Sequence, residues 1–388
     1  MHEDLEQRLD DAEEMPAGPA RTAAFAEIAR HADAANEDVA SFRARLAQLD
    51  AAMLTSQYHV ALALFPRLLQ DVDADPARFD DGGQLIVTFP TLLTGATCFP
   101  DVPLERLREL EEEFARRGAA EGLAEAEILS GRLNLALATG ELDRARDLLD
   151  RMSNPWSGHF ARCEHCRVRE WLYFHWYSDD LPSVRETGRR LIDGRLKCTR
   201  YICHGLMEPF ALRAFALNGD DEDAVRFYRT SVRVLKAEPH RVHVAGLTAT
   251  FLAHVLTRGG VPALCADSAT KALRQLLRRA VHYLPNVSPD DRMQFLTAAA
   301  LALEALTAAG APPALPWPDG DPLADLAGDA GRADPAPLIA AMNAEAERLS
   351  LAFDRRNGND FHVRLRRRDQ AFAFGEDAPS GADASPST

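Results

Sequence analysis

Lysine is nearly missing from this chain: Lys197, Lys236 and Lys271 are the only ones among 388 residues, so arginine carries almost all of the positive charge. Aromatic residues are sparse, at 7%. No apolar run approaches the roughly 18 residues needed to cross a bilayer. The acidic opening Met1 to Glu14 is the reverse of the basic-then-apolar order of a secretion signal, so the expected location is the cytoplasm. A surplus of cations is lacking as well. The formal net charge of −15 opposes general attraction to nucleic acid or anionic membrane, since both begin with an excess of Lys and Arg. No G-x-x-x-x-G-K-S/T, G-x-S-x-G, H-E-x-x-H or G-x-G-x-x-G occurs. With no phosphate cradle, nucleophile elbow or zinc-protease helix in sight, the chain reads as a non-enzyme.

What is present is helical periodicity. Apolar residues recur every 3.6 positions, Gly, Asp and Pro close the runs, and no stretch alternates convincingly with period two, so the class is all-α. A turn followed by apolar and small residues recurs four times. Gly140 leads to Leu142, Ala145, Leu149 and Met152, and Asp179 to Leu181, Val184 and Leu191. Gly219 leads to Ala224, Tyr228 and Ser231, and Gly260 to Cys265, Ala269 and Ala272. The four turns lie 39, 40 and 41 residues apart. Ser56, Tyr58, Ala61, Phe65 and Leu68 suggest an earlier copy, and the segment from Leu85 to Arg117, with Pro90, Pro100 and Pro103, a degenerate one. A helix pair cannot bury its apolar face alone, so this period predicts a tetratricopeptide-like α-solenoid of stacked antiparallel helix pairs.

The organisation expected from this reading is a capping helix pair over 1–35 and the repeat body over 36–310. A Pro and Gly-rich linker over 311–337, a C-terminal helix and its flank over 338–372, and a disordered tail over 373–388 follow. Ser288 and Pro289 are good first residues for a helix running to about Ala309.

Four of the six cysteines cluster. Cys163 and Cys166 form a C-x2-C pair, and Cys198 and Cys203 a C-x4-C pair beginning 32 residues later. Two thiolates on one short turn reduce the entropy of assembling a tetrahedral shell, which points to structural zinc. Cys163 and Cys203 are 40 residues apart, one repeat, and equivalent positions of stacked repeats are neighbours. His159, His165 and His204 are spare ligands. The competing readings are four buried thiols in a helical core or a redox pair at Cys163 and Cys166.

These residues resemble a bacterial family of tetratricopeptide-repeat proteins from actinobacteria and Gram-positive relatives. In that family a C-x2-C pair opens one repeat, a Gly-x-x-x-Cys segment opens the next, and a His stands five residues after that Cys. Here Cys163 and Cys166 and then Gly194 to Cys198 match, while Cys203 stands at the His position and Ile202 where a Pro usually precedes it. The run Phe353-Asp354-Arg355-Arg356-Asn357-Gly358 is similar to the family's FD-x-RNG motif. The resemblance implies a fold and a metal site and brings no activity with it.

On a tetratricopeptide frame, Arg169, Tyr173, Trp176 and Arg213 would face the concave side and form a groove for a protein or peptide partner. The bland reading is that Trp171, Phe174, Trp176 and Tyr177 are core. Arg364, Arg366, Arg367 and Arg368 form the one basic run, read as a terminal strand or a cover docked on acidic repeats. The expected function is a protein- or peptide-binding scaffold stapled by zinc, with a peptide-, redox- or zinc-responsive sensor as the alternative and an enzyme assembled from distant repeats third.

Overall fold

The computed structural model describes residues 2–79, 82–152, 164–192, 196, 208–329 and 335–375. Among the described residues there are eighteen α-helices, one 3-10 helix and a two-stranded hairpin, so the chain is all-α. It divides into two compact units, one built mainly from residues 1–138 and the other from residues 139–149, 162–285 and 289–388.

The first unit contains α1 (His2–Glu14), α2 (Pro19–Ala34), α3 (Asp38–Leu54), α4 (Tyr58–Ala74), α5 (Gln84–Thr97), α6 (Leu104–Ala120) and α7 (Glu125–Thr139). From α1 to α6 each helix packs on the next, and Leu135 of α7 joins Ala96 and Leu107 in a shared apolar cluster. A line of phenylalanines runs through the middle, Phe65 to Phe89 at 4.9 Å and Phe89 to Phe114 at 5.6 Å between ring centroids. Pro90 does not interrupt its segment as expected. It lies inside α5, where burial of Leu85, Phe89, Leu92 and Leu93 offsets the roughly 3 kcal/mol that an interior proline costs. Pro103 instead stands at the N-cap of α6.

The second unit contains α8 (Leu142–Arg151), α9 (Glu164–Tyr177), α10 (Leu181–Ile192), α11 (Glu208–Leu217), α12 (Asp221–Ala237) and α13 (Val242–Thr257). The hairpin of β1 (Gly260–Val261) and β2 (Leu264–Cys265) follows, a strand pair that helical periodicity gave no reason to expect. Then come α14 (Ala266–Ala280), α15 (Pro289–Ala308), α16 (Ala324–Asp329), α17 (Ala336–Asn357) and α18 (Phe361–Phe374). In this unit α9, α11, α13 and α15 touch in succession, while α10, α12 and α14 each pack against the helix before them.

The turns read from the sequence have a common backbone. Gly140, Asp179 and Gly219 take positive φ, at 76°, 60° and 75°, the left-handed geometry that ends a helix and reverses the chain; at the fourth turn that place falls to Gly259, at 79°, and Gly260, φ 103°, opens β1 instead. Three of the four are glycine, which enters that region without strain, and Asp is among the few other residues that tolerate it. The Pro and Gly-rich segment 311–337 buries Leu315, Trp317 and Leu323. The Asp321 carboxylate in this segment accepts two bonds from Arg292 of α15, at 2.6 and 3.1 Å. The basic run, read as a strand or a cover, is helix α18. The tail beyond residue 375 lies outside the described residues.

Gly140 and Gly219 make a controlled pair. Both have positive φ, but a Cβ on Gly140 would come within 2.6 Å of the Phe361 ring, whereas at Gly219 it meets nothing within 4 Å. Gly219→Ala should therefore cost only the backbone term, about 1–2 kcal/mol. Gly140→Ala should cost at least about 1 kcal/mol more, through displacement of Phe361. Chemical denaturation of the two variants checks the difference.

Candidate functional site

Of the cysteines in the zinc reading, Cys163, Cys198 and Cys203 lie outside the described residues, as do His159 and His204. Cys166 is in the first turn of α9 and buried, and His165 beside it is buried as well. Among the described residues no group of three or more His, Cys, Asp or Glu side chains is placed to hold a metal ion.

The four groove residues are described. Arg169, Tyr173 and Trp176 follow each other at helical spacing on α9, so they share a face. The rings of Tyr173 and Trp176 both meet Phe210 of α11 nearly perpendicularly, at 4.8 and 5.0 Å. Arg213 of α11 is ion-paired with Asp179, and Arg169 lies 4.0 Å from Glu170. Trp176 is 7% exposed and Arg213 9%. Over Trp176 lies a side chain from α18: the Arg368 guanidinium sits 4.0 Å from the indole centroid and donates to the Trp176 carbonyl oxygen at 2.7 Å. That is a cation–π contact plus a charge-assisted hydrogen bond, both in a desolvated place where each is strongest.

Both ends of α18 are held by side chains from elsewhere in the unit. A helix leaves its first N–H and last C=O groups without partners, and the N-cap residue Asp360 makes no capping bond. Asp354, near the end of α17, serves instead, accepting from the backbone N–H groups of His362 at 2.8 Å and Val363 at 3.0 Å and from the His362 ring at 3.1 Å. Burial works against the charge on Asp354, but these donors prevail and hold its carboxyl below the usual range. At the far end, His254 Nδ1 meets the Phe372 carbonyl oxygen at 2.6 Å, and the Thr257 hydroxyl donates to that of Ala373 at 2.7 Å. His254 also stacks on the Phe372 ring at 4.3 Å.

This arrangement explains the Phe353 to Gly358 run. Phe353 is fully buried and stacks on His362 at 4.8 Å, and Asp354 caps the next helix. Gly358 takes left-handed φ, 69°, to end α17. Asn359 then donates to the Thr139 carbonyl oxygen at 2.8 Å and accepts from the Phe361 N–H at 3.2 Å. The motif is the joint that turns α17 into α18 and seats α18 against Gly140 and Tyr177 through Phe361.

Ionisable groups gather where α13 and α15 begin, close to this joint. His243 Nδ1 is 3.8 Å from Asp291 Oδ1, and Asp290 accepts from Gln294 at 2.8 Å. Burial, aided by Asp291, raises Asp290 above the usual carboxylate range against the pull of His362 and Arg356. Burial, aided by Arg241 and His240, lowers the His243 imidazole to about 4 although Asp290 opposes it. Neither His243 nor Asp290 belongs to a spaced motif, and their meeting depends on how two helix starts pack, so no sequence pattern marks them. No family model matches the chain, and neither does any curated protein or solved structure.

A His whose folded value is near 4 against an ordinary 6.5 binds fewer protons folded than unfolded between those limits. Its neutral burial is harmless above about pH 6.5, and stability declines as the pH falls from there through about 4. The loss is at most about 3 kcal/mol, reduced because the ring remains 26% exposed and solvent screens part of the effect. His243→Gln should flatten the stability profile in that window, as measured by denaturant midpoints at stepped pH.

Proposed function

We propose that this chain is a non-enzymatic interaction module of the tetratricopeptide type, a solenoid of stacked helix pairs whose first-helix face takes up a helical protein or peptide segment. The observation that carries the reading is the seat of α18. It lies on α13, α15 and α17 and reaches α9 through Arg368, and a surface that holds one helix in this way supports the reading that it takes up a partner helix. The surface offers it an indole face for a guanidinium and, from His254 and Thr257, donors for the unpaired carbonyls of a helix end. These are the elements of helix-in-groove recognition, used here within one chain. They include Trp176, and Arg213 lies within the electrostatic reach of Arg368, which supports the groove reading over a purely structural aromatic stretch.

The test uses the full chain carrying Arg368→Glu, which removes the cation from Trp176, and a fluorescent synthetic peptide spanning residues 359–375. The expected result is measurable binding of the peptide by the variant. Wild type should bind about tenfold or more weakly, because its own tethered helix competes at high effective concentration. Binding by neither protein, with the variant still folded by circular dichroism, removes the groove reading.

The second part of the proposal is a structural zinc ion on Cys163, Cys166, Cys198 and Cys203, supported by the paired spacing and the one-repeat offset. Elemental analysis of protein purified without a histidine tag should find about one zinc per chain, and Cys198→Ser should lose both the metal and several degrees of melting temperature. Metal-free protein with reactive thiols would overturn the staple and favour a redox pair.

A further inference from the structure

Away from the α18 seat, three helices of the second unit enclose a cavity of about 180 Å³. α12 contributes Tyr228, Leu235 and Lys236, α13 contributes Ala245 and Leu252, and α14 contributes Ala272, Leu276 and Arg279. Connectivity fixes how these line up. The short turn from α12 into α13 sets Ala245 near Lys236, and the hairpin from α13 into α14 sets Ala272 towards Leu252. Tyr228 is at the Leu252 end, its ring 5.9 Å from that of Phe251. Eight helical steps from Tyr228 to Lys236, and seven from Ala272 to Arg279, make a slot on the order of 10–12 Å long. Its walls are mainly hydrocarbon, with the Gln275 amide, the Thr248 hydroxyl and the Tyr228 phenol among them, and both cations are at one end.

Those cations are uncommitted. Lys236 and Arg279 lie in the last turns of α12 and α14 and make no ion pair or hydrogen bond among the described residues. Among the described residues no carboxylate lines the cavity. A basic residue in a last turn complements the helix dipole, which accounts for one such charge on any helix. It does not account for two of them converging on the mouth of one apolar slot. Inside, the Thr248 hydroxyl is spent on the Val244 carbonyl at 2.7 Å, so the lining offers a polar ligand the Tyr228 phenol and, from an exposed side chain, the Gln275 amide. An apolar cavity of about 150 Å³ accepts a benzene ring. This slightly larger, open-ended one suits a ring or a medium alkyl chain whose head remains at the mouth.

We propose that the cavity between α12, α13 and α14 binds a small amphipathic carboxylate, its hydrocarbon tail in the slot and its carboxylate between Lys236 and Arg279. This site uses none of the residues that hold α18, so it stands or falls independently of the helix-docking reading. Burial holds the proton on Tyr228, which keeps its hydroxyl a donor at the inner end for tails that end in an acceptor.

Isothermal titration of the full chain with octanoate, octan-1-ol and octylamine tests the assignment. Octanoate should bind at one site per chain and octan-1-ol about tenfold or more weakly, as the loss of charge-assisted bonds requires; octylamine should not bind. Lys236→Ala with Arg279→Ala, both on exposed side chains, should weaken octanoate about tenfold or more while lowering the melting temperature by no more than the few degrees that loss of two helix-end charges costs. Ala272→Phe, which fills the slot, should abolish binding, and all variants should still bind the 359–375 peptide when combined with Arg368→Glu. No octanoate binding by wild type, equal binding of octan-1-ol, or binding undiminished by the double substitution would each overturn the proposal.

Discussion

Along their middle turns α13 and α15 have almost no exposed face. Every residue of α15 from Phe295 to Leu303 is buried, and α13 is buried over Val244 to Gly246 and Thr248 to Val255. A helix that is apolar all round is stable only if neighbours cover each side. The two cover each other where Gly246 lets α13 approach Ala298 and Phe295 of α15, and α11, α14 and α17 take further flanks. The remaining flank falls to α18. Ala253, Leu301, Ala305 and Ala373 form one apolar cluster there, so the end of α18 completes the cover that the two central helices require.

Burial alone would leave α18 free to slide, since alanine-rich surfaces pack in several registers. Its polar attachments remove that freedom. Asp354 accepts its first N–H groups, His254 and Thr257 take its last carbonyl oxygens, and Arg368 is fixed over Trp176. Burial draws the Arg368 guanidinium below its usual range, yet an arginine remains charged under such a shift, so the indole face and the carbonyl oxygen must compensate a desolvated cation. Breaking a compensated buried charge costs more than deleting an apolar contact, which makes Arg368 the most discriminating contact of the docked helix.

Much of this was legible in the sequence where local backbone chemistry decides. The turns at Gly140, Asp179 and Gly219 could be read because left-handed φ favours those residue types, the fourth only to within one residue because Gly259 rather than Gly260 follows α13, and the start of α15 because Pro289 suits a first helical position. The α18 seat was legible only in pieces. Trp176, Arg213, the Phe353 to Gly358 run and the arginine run each stood out, but nothing in the spacing reveals that Arg368 meets a tryptophan 192 positions earlier. The arginine run resembled a solvated strand because its neighbours Ala371 and Phe372 are too few to make a clear apolar stripe. Leu315 and Trp317 hid in the same way, inside a segment whose Pro, Gly and Asp composition signals an open linker. Three of the four cysteines in the zinc reading lie outside the described residues, so that reading still rests on spacing and on the one-repeat offset.

The cavity between α12, α13 and α14 follows from a contrast within α13. On its α15 side, small residues draw the helices together, as small residues at a crossing generally do. On the opposite side Ala245, Ala272 and Ala280 are equally small, yet space remains, because α12 and α14 are each tied to α13 by a short connection and pack on it separately. A closed apolar void of 180 Å³ would cost on the order of 4 kcal/mol, a large fraction of a domain's stability. Opening the mouth to solvent lowers that cost without removing the apolar walls from water. One leucine in place of Ala272 would fill much of the space. A slot that is simple to close, with two cations at its mouth that pair with none of the described residues, has the features of a binding site rather than of a packing defect.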